Sequence, residues 1–197
     1  MREFMRALRE GCVAGSVASV ASAAVLAWCG RCEDRHAAAP INAVSHWLWD
    51  REAFRADEPS VRHTLTGYVV HHGASIFWGT VHAAAWGMQE RNKRPGAALA
   101  GAAGVAALAC FVDFQLTPRR LTPGFEQRLS KHSLALVYAS FGLGLAVGSM
   151  ALSRPRQAAR RSGCNAAATA SPSELMSKGL RSTKGLPASR STAAMSA

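Results

Sequence analysis

Two adjacent histidines, one carboxylate and a pair of cysteines are the residues of this chain best suited to chemistry. His71-His72 lies in a stretch otherwise made of apolar and small residues, with His63 ahead of it and His82 beyond it. His63, Gly67, His71, Ser75, Gly79, Ala83 and Gly87 recur every fourth residue, so on a helix they form one slowly rotating face, small and polar. Asp113 is the lone carboxylate of a second apolar stretch. Imidazole near carboxylate suits Zn, Fe, Cu or Ni, a haem, or a proton relay along a substrate path. The candidate polar site is His71, His72, Asp113, His82 and Ser75. The candidate metal set is His71, His72, Asp113, His63 and His132. A blander reading is an Asp–His hydrogen bond that fixes the register of two helices, contributing only ~0.6–2 kcal/mol. The pattern is not HExxH, nor does its spacing match the repeated histidine boxes of membrane desaturases and hydroxylases.

Cys29-Gly30-Arg31-Cys32 is the second candidate. In an oxidising compartment a CxxC pair can close into an exchangeable disulfide. The third is the turn-rich segment from Asp113 to Glu126, where Arg119 or Arg120 can pair with Glu126, Asp50 or Glu52.

The elements that must position these residues are apolar helices. Residues 11–30, 67–88, 96–116 and 133–152 are each about as long as a helix needs to cross ~30 Å of hydrocarbon. All 23 Lys and Arg residues fall outside them. A bilayer enforces that sorting, because a charge at its centre costs about 2.5–3.5 kcal/mol on insertion scales. The sequence therefore predicts an all-α, multi-pass bundle of four transmembrane helices over residues 1–152.

Small residues mark the packing faces: Gly11, Gly15, Ser19 and Ala23 in the first span, and Gly142, Gly144 and Gly148 in the fourth. Such faces let backbones approach closely and leave no evident broad pocket for a haem. A cleaved signal peptide, ending near Ala37–Ala39, fits the first span less well than a retained helix, because the apolar stretch is long.

The connections carry further signals. Pro40, Ile41, Val44, Trp47 and Leu48 have helical spacing, which predicts a short interfacial helix over about 40–55 with Trp47 and Trp49 at headgroup level. Pro59-Ser60 reads as a stop followed by an N-cap. The 89–95 connection is short and makes spans two and three an antiparallel hairpin. His71 and Asp113 each stand 17 residues from that hairpin, counted to Met88 and from Gly96. They are therefore expected at one level, near the outer leaflet and within hydrogen-bonding reach.

The formal charge of +11 comes mostly from residues 153–197, with eight Lys/Arg against Glu174. That tail lacks aromatic residues to stack bases, which argues against nucleic acid. Its composition predicts a disordered cytoplasmic segment. Arg154, Arg156, Arg160 and Arg161 follow the last span directly and are expected to contact anionic lipid headgroups. Three basic residues in 1–10 and three in 89–95, against six acids in 31–66, favour both termini in the cytoplasm.

Taken together, Pro40-Ile41-Asn42 with Ser45-His46-Trp47, His71-His72 with Phe77-Trp78, and Leu121-Thr122-Pro123-Gly124-Phe125-Glu126 look like a group of uncharacterised proteobacterial inner-membrane proteins. The likeness covers about residues 10–152 and brings no activity with it. It implies a bacterial inner-membrane location. Four spans with CxxC at an outer end also resemble the quinone-linked thiol oxidases of the DsbB type, but the second cysteine pair of those enzymes is missing from 117–132.

The expected function is a non-enzymatic membrane component or small permease-like protein with an intramembrane His/Asp pair and no cofactor, working in the bilayer as a homo-oligomer or beside another membrane protein. The alternative is a metal- or haem-binding redox or hydrolytic protein. A thiol oxidase using Cys29 and Cys32 is the third reading.

Overall fold

A computed structural model of the chain describes residues 1–89, 92 and 94–152. The tail, with Arg154, Arg156, Arg160 and Arg161, lies outside the described residues. Within them the chain is all-helical, with no strand. The helices are α1 (Arg2–Glu33), α2 (Ala39–Val44), α3 (His46–Trp49), α4 (Thr66–His82), α5 (Pro95–Phe111) and α6 (Lys131–Ala151). Wider π turns extend α4 at both ends, over Val61–Leu65 and Ala83–Gly87, and continue α5 through Val112–Leu116. Three helices, Arg2–Glu33, Pro95–Leu116 and Lys131–Ala151, are long and apolar enough to cross a membrane. The run through α4, which carries three histidines, is not among them.

α1 is the centre of the bundle, and its small residues explain why. On one face Gly15 meets α4 so closely that a Cβ there would lie 2.5 Å from Ser75 O, and a Cβ on Gly79 would lie 2.6 Å from Gly11 O. On another face Ala14 and Ala18 meet α6, where a Cβ on Gly144 or Gly148 would lie 2.5 or 2.6 Å from an alanine Cα. Backbone approach of this kind is how helices gain dispersion contact where no hydrophobic drive operates. α5 packs on α6 through Ala102, Ala106 and Gly142. The packing order is thus α4, α1, α6, α5, and the hairpin partners α4 and α5 are the outer pair.

The connections fold together over one end of the bundle. Ser60 accepts from His63 N–H at 3.0 Å, the expected N-cap. The single helix expected over 40–55 is instead three pieces: α2, α3 and a 3-10 stretch Asp50–Arg55 that begins with Asp50 at φ +44°. All six residues of α2 are buried. They lie against Gly30 and Gly67, the two glycines that let α2 sit directly on the backbones of α1 and α4. Inside this cap, Asn42 is fully buried, donates to Ala56 O and Glu58 O at 2.8 and 3.0 Å, and accepts from Thr64 Oγ1 at 2.6 Å.

Trp47 donates its indole N–H to Thr122 O at 3.0 Å, and Trp49 to Arg62 O at 3.1 Å, so both tryptophans tie the cap together. Gly124, at φ +89°, turns the chain against Ala43 O and the His46 ring, where a side chain would not fit. Phe125 and Leu129 then fill a small core with Leu26, Ile41, Val44 and Val137. Arg128 closes the cap. It donates to Asp34 at 2.6 Å, to Phe54 O at 2.7 Å, and to Asp57.

Candidate functional site

α4 and α5 touch at their hairpin end. There Trp86 lies over Gly101 and donates to Ala97 O at 3.0 Å. A residue with a side chain at 101 would not fit beneath that indole. Towards the cap the two helices leave a cavity of about 570 Å³. Its walls come from α1 (Ser22), α4 (Val70, His71, Ala74, Phe77, Trp78), α5 and its extension (Ala109, Val112, Asp113), and α6 (Val137, Tyr138, Phe141). Trp47, Thr117, Leu121 and Phe125 of the cap close one end. This overturns the expectation that small-residue faces leave no broad pocket. Those faces are consumed by the α1–α4 and α1–α6 contacts, and the hairpin pair is left unsealed. The volume lies within the ~300–1,000 Å³ usual for small-molecule sites, and the mostly apolar wall with few polar groups is also usual for them.

Of the predicted residues, His71, Asp113 and Ser75 border this cavity. The depth counting thus brought His71 and Asp113 to one chamber, but each bonds elsewhere. Asp113 Oδ2 accepts from Tyr138 O–H at 2.6 Å. His71 Nε2 lies 2.9 Å from Ser22 Oγ. Ser22 Oγ also stands 2.8 Å from Ala18 O, the back-bond of a helical serine. Its one proton goes to that carbonyl, so its lone pair accepts from His71 Nε2–H, and His71 keeps Nδ1 as an acceptor. Ser75 Oγ donates to His71 O at 2.8 Å within α4.

The remaining histidines are dispersed. His72 stacks on Tyr68 with ring centroids 5.7 Å apart. His82 is buried near the hairpin, and its Nε2 has no hydrogen-bond partner among the described residues. His63 is buried in the cap, 3.2 Å from Ser45 Oγ and 3.7 Å from Glu52. His132 is exposed at the start of α6. Among the described residues no three His, Cys, Asp or Glu side chains come together as a metal-holding group. Cys29 is a buried free thiol in the cap core and Cys32 an exposed one. Arg120 reaches Asp50 at 3.8 Å, one of the pairings its position suggested.

Sequence reasoning missed Tyr138, Ser22 and the aromatic lining from Trp47, Phe125 and Phe141. Tyr138 was within reach of the same counting, since it lies about two turns inside the cap end of α6 and Asp113 about one turn inside that of the α5 extension. Two further acidic features complete the electrostatics. Glu126 accepts from Thr122 Oγ1 at 2.8 Å through Oε1, while its Oε2 is buried without a hydrogen-bond partner among the described residues. Glu126 and Asp113 stand near enough to repel one another when both are charged. Comparison with protein-family models, with curated proteins and with solved structures finds no match for this chain.

Proposed function

We propose that this chain is a four-span protein of the bacterial inner membrane, with both termini in the cytoplasm. We read it as a small permease-like membrane component whose cavity between α4 and α5 takes up a small molecule. The run through α4 is the additional span. The observation that carries the reading is the cavity itself. Tight packing would have satisfied His71 and Asp113 by pairing them, yet both border an open chamber instead. An ionisable side chain held in the apolar layer beside a cavity is the usual mark of a substrate or proton path. A structural lock would need neither the volume nor the aromatic wall.

The test is access from water. The five native cysteines are replaced by serine, and Ala74→Cys, which lines the cavity, is compared with Leu108→Cys, which is exposed on α5 away from it. A membrane-impermeant thiol reagent added to spheroplasts should label position 74 and spare position 108. Equal resistance at both positions would refute the permease-like reading.

A further inference from the structure

We infer that the cavity binds a lipophilic organic cation, held by Asp113 and the surrounding aromatic rings and exchanged there against a proton. This rests on the permease-like reading above and gives it a substrate class. Asp113 borders the cavity and no Lys or Arg occurs in the apolar stretches. Among the described residues its one hydrogen-bond partner is the Tyr138 hydroxyl. Of the nearby arginines, Arg128 is paired with Asp34 and Asp57, and Arg119 and Arg120 are exposed at the surface, none of them lining the cavity. A half-buried carboxylate set among apolar walls without a counter-ion is costly, so it favours holding either a proton or a cation from elsewhere.

The groups facing Asp113 reinforce the sign. Tyr138 and Glu126 approach it from α6 and the cap, Cys110 shares its helix, and His71 borders the same cavity from α4. None of these supplies a fixed positive charge, and Glu126 adds a second acidic oxygen without a hydrogen-bond partner. His71 is held from α1, its Nε2 lying 2.9 Å from Ser22 Oγ.

The walls fix the rest of the ligand. Trp47, Phe77, Trp78, Phe125, Tyr138 and Phe141 border the chamber. Aromatic faces attract organic cations most strongly where water is excluded. An anion would meet the Asp113 carboxyl, and among the described residues a metal ion would find no group of three His, Cys, Asp or Glu side chains. When the cation enters, the proton on Asp113 leaves for bulk water, and no covalent bond other than that O–H is broken.

The experiment measures binding by the full chain in phosphatidylcholine nanodiscs, with empty nanodiscs subtracted, for three probes of similar shape. These are tetraphenylphosphonium (cation), tetraphenylborate (anion) and triphenylphosphine oxide (neutral). The expected result is saturable binding of the cation, at least about 30-fold tighter than the anion, with about the same loss in Asp113→Asn and retention in Asp113→Glu and Tyr138→Phe. Should Asp113→Asn fail to fold, the wild type alone decides: cation affinity should fall by about tenfold per pH unit once Asp113 takes up its proton.

Equal binding of all three probes, indifferent to Asp113→Asn and to pH, would overturn the cation inference while leaving the permease-like reading intact. It would make the chamber a slot for apolar chains. Absence of binding by any probe would also overturn it, and the cysteine-labelling result then shows separately whether the permease-like reading falls with it.

Discussion

Replacing Arg128 by methionine should unfasten the cap. The guanidinium reaches Asp34 through Nε at 2.6 Å and Nη2 at 2.5 Å, Phe54 O through Nη1 at 2.7 Å, and Asp57 through Nη2. Its side chain is 17% exposed, while Asp34 and Asp57 are 30% and 43% exposed. Burial alone would lower its pKa, but the hydrogen bonds to Asp57 and Asp34 outweigh burial and hold it above the ordinary arginine value. The group is thus charged at every accessible pH.

Exposed ion pairs contribute ~0.2–1 kcal/mol each, and loss of one partner from a fully buried pair costs ~3–5 kcal/mol. A mostly buried cation with two half-wet anions and a carbonyl falls between, at about 2–4 kcal/mol. Methionine keeps the stem's packing, so the loss reports the polar contacts and the repulsion left between Asp34 and Asp57. At ~2–4 °C per kcal/mol for a chain of this size, thermal unfolding in mild detergent should begin about 4–16 °C lower. Arg119→Met, exposed and away from this cluster, should change nothing. Arg128→Lys should fall between the two, because an ammonium cannot reproduce the forked geometry. A shift of less than about 2 °C for Arg128→Met would refute the idea that this residue clamps the cap.

Gly144→Val should destabilise by about 1–3 kcal/mol or more, since its Cβ would lie 2.5 Å from Ala18 Cα. Gly104→Val, where a Cβ meets nothing within 4 Å, is the neutral control in the same melt. Glu33, past the apolar stretch of α1, accepts from Ser133 Oγ and from Ser130 Oγ and N–H, and these bonds, Ser133 first, hold its carboxyl below the usual range. Its contribution is therefore present above the unfolded carboxyl's pKa and is lost as pH falls through the lower folded value. Stability of Glu33→Gln followed against pH should lack that acid-side loss, and an unchanged profile would count against the bonds. His71→Ala and Asp113→Asn should act additively within about 0.5 kcal/mol, because one loses Ser22 and the other Tyr138. A large coupling in the double-mutant cycle would restore direct pairing.

What could be read from the sequence follows physical lines. The glycines and alanines of α1 announced a close-packed face, because nothing else brings helix backbones together in lipid. Their partners could not be read, since Gly79 and Gly144 look alike as sequence but meet different sides of α1. The short 89–95 connection makes α4 and α5 neighbours in the chain, but neighbourhood in the chain does not require packing along the whole length. Trp86, seated over Gly101, joins them at the hairpin. The sequence alone does not separate the buried α2 from an interfacial helix, because Ile41 and Val44 have the same spacing whether they face lipid or a protein core. Asn42 was the overlooked clue, as an amide amid apolar residues needs partners that only a folded cap supplies. Counting sets His71 and Asp113 level with one another, and both border one cavity, whereas their hydrogen-bond partners depend on helix order.

The central position of α1 also constrains how the molecule is made. α1 is synthesised first, yet its Ala14–Ala18 side is matched by Gly144 and Gly148 near the end of α6, the last helix of the bundle. On the proposed membrane placement, the smooth strip of α1 faces lipid until that helix arrives. Protection of the strip by an insertase or chaperone would then have to persist until the Lys131–Ala151 segment is made. A chain interrupted anywhere before Lys131 can dock α4 on α1 but cannot complete the bundle, so such fragments should be preferred substrates for membrane quality control.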